Sequence, residues 1–177
     1  MNKPPVLLVC MGVSGSGKST VARILARQLE LEFCEADDFH GPENTARMAA
    51  GEPLSDAMRE PWIDRLSAAL AAKRSEGRSC VLAWSALRRA HRQLIRALGF
   101  RTLFLHLQAD LGVIAGRLDT RPGHFFHPGL LQSQFEDLQP ASGEEDILPF
   151  DVGAELPGVM AMVEQAARAF LQRESAP

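Results

Sequence analysis

Hydrophobic and polar positions follow two rhythms along this chain. Val6–Met11 is a continuous apolar run, the pattern of a strand covered on both faces. From Lys18 the rhythm changes. Val21, Ala22, Leu25 and Leu29 recur at helical spacing and predict an amphipathic helix. Short apolar runs at 32–36, 80–84, 102–107 and 147–152 predict four more strands, the last the weakest. Helices are expected at 44–50, at 57–76 with Gly77 as a stop, at 86–98 closed by Gly99, at 110–118 and at Leu156–Gln172. The stretch 121–140, bounded by prolines and glycine, reads as a mobile helical flap. Strands that alternate with helices predict an α/β fold: a five-stranded parallel sheet between two helical layers. Ligands bind such sheets beyond the carboxyl ends of the strands, so the informative residues are those that follow each strand.

Composition narrows this picture. The 177 residues suit one domain, 1–177, with no internal repeat. With 46% hydrophobic and 23% charged residues, the chain is of globular rather than disordered type. A formal net charge of −3 supplies no global basic field for nucleic acid, so small-molecule chemistry is the expectation. Arg88, Arg92 and Arg96 recur at helical spacing, but no aromatic residue interleaves them; a solvated helix face is expected there. Cys10, Cys34 and Cys80 form no CxxC pair and read as buried, reduced thiols. The chain runs from Met1 almost directly into its first strand, without the pattern of a signal peptide, and no apolar run approaches the ~20 residues that span a membrane. A cytoplasmic protein without membrane association is expected.

Between the first strand and the first helix lies Gly12-Val13-Ser14-Gly15-Ser16-Gly17-Lys18-Ser19, a full match to G-x-x-x-x-G-K-[ST]. Its glycines permit backbone conformations that turn successive N–H groups toward an anion. The helix that starts at Lys18 adds the positive end of its dipole. ATP is the expected ligand. Lys18 is placed for the β- and γ-phosphates and Ser19 for Mg²⁺, with Thr20 beside them. Each charge-assisted hydrogen bond to phosphate is worth ~1.5–3 kcal/mol. No N-K-x-D segment is present to read a guanine base.

The second strand ends in Glu35-Ala-Asp37-Asp38-Phe-His40. Phosphoryl transfer needs a carboxylate to orient the attacking hydroxyl, and often another near the metal. Asp37 suits the hydroxyl and Glu35 the metal shell. A solvated acidic turn that caps the next helix is the alternative reading.

The phosphate loop, Asp37-Asp38-Phe-His40, the run Gly51-Glu-Pro-Leu-Ser-Asp56…Arg59-Glu-Pro-Trp62, Ser85-Ala-Leu-Arg88 and Leu130-Leu-Gln-Ser-Gln134-Phe-Glu-Asp-Leu138 together resemble the gluconate kinases. The resemblance covers almost the whole chain in order. It implies a P-loop kinase fold with a substrate-binding helical region and a lid at about 121–140. It also implies phosphorylation of D-gluconate by ATP and Mg²⁺, and a homodimer. Asp37 becomes the base or hydroxyl-orienting group, with Asp38, His40, Arg59 and Arg88 on the substrate side. A guanidinium at Arg59 suits an acid, whose carboxylate it can bind bidentately; a surface ion pair with Asp56 or Glu60 is the alternative. The chain departs from the family pattern at Met58, where Asp is usual, at Trp84, often Cys, and at His91, often Tyr and expected to be peripheral.

Arg117 and Arg121 stand four residues apart before the flap, and arginines so placed in related kinases close over ATP. His124 is a candidate phosphate or substrate contact. A kinase for another small hydroxy acid such as shikimate, and a non-catalytic ATP-binding module, are the competing functions.

Overall fold

A computed structural model describes residues 3–119 and 128–173. The sheet is parallel throughout, with strand order β2-β3-β1-β4-β5. Its strands are β1 (Val6–Met11), β2 (Glu32–Glu35), β3 (Cys80–Ala83), β4 (Arg101–Gln108) and β5 (Ile147–Asp151). The described helices are α1 (Lys18–Leu29), α2 (Pro42–Ala49), α3 (Asp56–Ser75), α4 (Arg89–Arg96), α5 (Leu111–Asp119), α6 (Pro128–Asp137) and α7 (Leu156–Gln172).

The apolar run of β1 is explained by its central place. Every residue of it is buried, and successive side chains enter opposite layers. Val6, Leu8 and Cys10 pack with Val21 and Leu25 of α1 and Val159 and Val163 of α7. Leu7, Val9 and Met11 pack with Trp62, Leu66 and Leu70 of α3 and Ile95 of α4. The result is the expected α/β/α sandwich. Cys10 pairs with Ala83 on one side and Leu105 on the other, so the ends of β3 and β4 flank the loop that leaves β1. The chain then turns to one side for β2 and β3 and to the other for β4 and β5. The loop after β1 thus stands where such a sheet leaves a crevice.

Two expectations fail. Helix α4 starts at Arg89, not at 86: Ala86 takes a left-handed φ of 49°, and Arg88 is an extended cap. Arg92 and Arg96 do not lie on a solvated face. Arg92 is fully buried, and both guanidiniums bind Glu144, whose side chain is 5% exposed. Arg96 also forms a two-point pair with Asp146 at 2.7 Å. The acids that draw these arginines inward lie about 50 residues further on, so helical spacing alone cannot reveal them. The three cysteines are buried free thiols, as expected.

Candidate active site

The turn from β1 to α1 builds the anion cradle. Gly12, Gly15 and Gly17 have φ of 144°, 82° and 92°, and Gly17 is the left-handed cap of α1. Lys18 folds its ammonium back over the loop and donates to Val13 O at 3.0 Å. Ser16 Oγ is buried with no hydrogen-bond partner among the described residues. A buried hydroxyl left unsatisfied is costly, and a phosphate oxygen in the cradle would satisfy it. The residues present therefore fit ATP.

At the end of β2 the chain makes a single 3-10 turn, Ala36–Phe39. Glu35 accepts a hydrogen bond from Ser19. Burial raises its carboxyl above the usual range; the Ser19 bond opposes that, and neighbouring Asp37 adds to it. A serine hydroxyl beside a carboxylate at the foot of the phosphate loop is an oxygen donor set that suits Mg²⁺, which keeps several waters and phosphate oxygens of its own. Among the described residues no cluster of three His, Cys, Asp or Glu forms a cage by itself.

Asp37 extends from the turn, its side chain 75% exposed, and His40 Nε2 lies 3.8 Å from it. His40 is fixed by stacking on Trp62, with centroids 4.0 Å apart, while the indole of Trp62 donates to Ala36 O at 2.7 Å. Burial pushes the imidazole below its usual pKa, against the pull of Asp37. Burial thus favours its neutral form.

A cavity of about 560 Å³ joins these groups. Its wall includes Lys18, Asp37, His40, Arg59, Arg88 and His91. Asp38 is exposed and does not line it. Arg59 and Arg88 meet across two carboxylates. Arg59 donates to Asp137 at 2.6 Å and to Asp56 at 3.3 Å; Arg88 donates to Asp137 at 2.8 Å and to Asp56 at 2.7 Å. Met58 thus leaves Arg59 well oriented, by acids from α3 and α6. Arg88 is aimed by the loop before it, where Arg92 Nη1 holds Ala86 O at 2.8 Å and Leu87 O at 2.9 Å.

His91 is not peripheral. It follows Arg88 by three residues, so the start of α4 carries both toward the cavity. That spacing was the available signal. Burial and the two arginines keep its pKa low. Gln134 and Asp137 were also missed as site residues, though the resemblance included their segment. Trp84 lines the cavity too, and its indole N–H is buried without a partner among the described residues.

A second cleft of about 310 Å³ opens beside Gly15, Gly17 and Thr20, with Arg117, Val152 and Ala154 on its far side. Arg117 donates to Val152 O. Arg121 and His124 lie outside the described residues.

A parallel sheet in this order, a glycine-built phosphate cradle with its lysine, and an acidic turn facing a cavity lined in part by charged residues define a P-loop kinase. A family model described as an AAA domain matches residues 7–139. The chain is 42% identical to a probable gluconokinase of Mus musculus, over 95% of this chain and 100% of that protein. It is also 42% identical to the thermoresistant gluconokinase of Escherichia coli, over 88% and 89%. The crystal structure of a gluconokinase from Sinorhizobium meliloti superposes with a TM-score of 0.81 at 33% identity, covering 98% of this chain and 100% of that one. The chain belongs to the gluconokinase family.

Proposed function

We propose that the protein transfers the γ-phosphoryl group of ATP to D-gluconate, giving 6-phospho-D-gluconate and ADP. One observation carries this reading: a single cavity holds the phosphate-loop Lys18, the carboxylate of Asp37 and the paired guanidiniums of Arg59 and Arg88. The first binds the donor, the second serves an attacking hydroxyl, and the third fits the carboxylate of a sugar acid.

Backbone N–H groups of residues 12–19 hold the phosphates, and Lys18 exchanges Val13 O for the β- and γ-oxygens. Ser19 and Glu35 would hold Mg²⁺, which would offset the charge on those oxygens. Arg59, Arg88 and His40 orient the acid, and Asp37 takes the proton from its hydroxyl as the oxygen attacks phosphorus. The bond from phosphorus to the bridging oxygen breaks, and ADP leaves. The cleft beside Thr20 and Arg117 takes the base. Arg117 and Arg121 add positive charge over the transferring group, and His124 belongs to the same lid, at about 121–140 of a single domain 1–177. No described helix is long and apolar enough to cross a membrane; a cytoplasmic location and a homodimer are part of the proposal.

A kinase for another small hydroxy acid such as shikimate is the second reading; Trp84, whose N–H has no partner among the described residues, stands on the cavity wall where the acceptor would lie. Measuring ADP release across a panel of sugar acids and shikimate separates the readings. The expected outcome is the highest kcat/KM with D-gluconate. Stimulation by another acid alone supports the second reading, and ATP binding without turnover on any acceptor refutes both.

A further inference from the structure

Helix α6 lines the cavity with Leu130, Ser133, Gln134 and Asp137. Its C-terminal end is stitched to the loop before α4: Gln139 N–H donates to Leu87 O at 2.9 Å, and Arg89 N–H donates to Gln139 Oε1 at 2.7 Å. Two residues before Gln139, Asp137 bridges Arg88 at 2.8 Å and Arg59 at 2.6 Å. One turn further back, Gln134 Oε1 accepts the Ser14 N–H at 2.6 Å, and its Nε2 donates to Ser14 Oγ at 3.0 Å. Residues three apart share a helix face.

Both contacts imitate a ligand. A carboxylate that spans two guanidiniums is the interaction a sugar acid would make. A carbonyl oxygen on a phosphate-loop N–H stands where a phosphate oxygen would. Asp137 is 21% exposed, against 64% for Asp56, so it is the more enclosed partner of the two arginines. Burial alone would raise its carboxyl; Arg88 and Arg59 outweigh that and hold it below the usual carboxylate range. Charge arithmetic points the same way. Two guanidiniums and two carboxylates already balance, so a third carboxylate enters at least repulsion by replacing one of them.

We infer that α6 is an internal competitor for both substrates: Asp137 occupies the place of the acid's carboxylate and Gln134 that of a phosphate oxygen. This rests on the reading that Arg59 and Arg88 bind the carboxylate. Each ligand displaces one end of a single helical turn anchored at Gln139. The ligand that arrives first bears the displacement, and the second binds to a site already vacated. Coupling of this kind is reciprocal, and it arises because each ligand favours the displaced state.

Calorimetry on the full chain tests it, with D-gluconate and a non-hydrolysable ATP analogue with Mg²⁺, alone and together. In the wild type each ligand should tighten the other by about fivefold or more. Asp137→Asn should bind D-gluconate more tightly than the wild type, with the coupling reduced. Gln134→Ala should bind the analogue more tightly. If Arg88→Gln weakens D-gluconate while Asp137→Asn binds it no better than the wild type, the competitor inference is overturned and the carboxylate reading stands. If Arg88→Gln leaves D-gluconate affinity unchanged, the carboxylate reading falls and the inference with it. A purely structural role for Asp137 predicts the opposite sign, weaker binding and a raised KM.

Discussion

A β-carbon on Gly12 would stand 2.4 Å from the carbonyl oxygen of Leu107, on a backbone already at φ 144°. Neither atom is at the end of a flexible side chain, so the clash cannot relax locally. Gly12→Ala is expected to cost about 1–3 kcal/mol from backbone strain alone and to abolish ATP binding; denaturant midpoints and nucleotide titration check both. Asp37 is different in kind. Its side chain is largely exposed and lies 3.8 Å from the ring nitrogen of His40, so little of the fold depends on it. Asp37→Asn should keep stability and ATP affinity while lowering kcat by about 10²–10⁴-fold. Near-normal turnover with ATP bound would remove Asp37 from its assigned role.

Helix α4 shows how an element can be set by a partner far away in the chain. Arg92 lies inside the protein with five hydrogen bonds, to Ala86 O, Leu87 O, Gln139 O and both oxygens of Glu144. These bonds hold Ala86 in its left-handed turn, delay the start of the helix to Arg89, and leave Arg88 extended toward the cavity. Removing one partner of a buried pair leaves an uncompensated charge. Glu144→Gln should therefore lower stability by about 3 kcal/mol at neutral pH. It should also raise KM for the acid through Arg88 with a smaller change in kcat, since Arg92 acts on binding through the loop rather than on the reacting atoms. Equal loss of kcat and binding would count against that route.

Across the whole molecule, the shifted groups give stability a defined pH course. Arg92 and Arg96 hold Glu144 down to about 2, from 4.5. Lys73 lowers Glu32, and Arg88 and Arg59 lower Asp137. Carboxyls with a depressed folded-state pKa contribute stability that is full above their unfolded values and is lost as pH falls toward the folded ones. Burial lowers His40, His91 and His106 below 6.5. The unfolded chain then takes up their protons first, so acid works against the fold there too. Stability should decline in two stages, gently below pH 6.5 and steeply from 4.5 toward about 2. In Glu144→Gln the second stage should be shallower, which unfolding measured at several pH values will register.

Much of this was legible along the chain. The bounds of β1 and α7, the start of α1 and the full phosphate loop follow from local rules: apolar continuity for a doubly covered strand, a helical period for an amphipathic helix, and glycine where φ must be positive. Such rules act over a few residues, so one sequence suffices to read them. The pairing of charges does not follow from them. Arg59 meets Asp137 from 78 residues away, and Arg92 meets Glu144 from 52. No period in the chain encodes those partners. Periodicity by itself therefore placed Arg92 in solvent and His91 at the periphery, where the fold buries one and puts the other on the cavity wall. By itself the sequence determined a phosphate cradle on a parallel sheet with an acidic turn beside it. Only the tertiary structure decided which acids neutralise which arginines, because ion pairing depends on distance in space and the sheet order brings distant segments together.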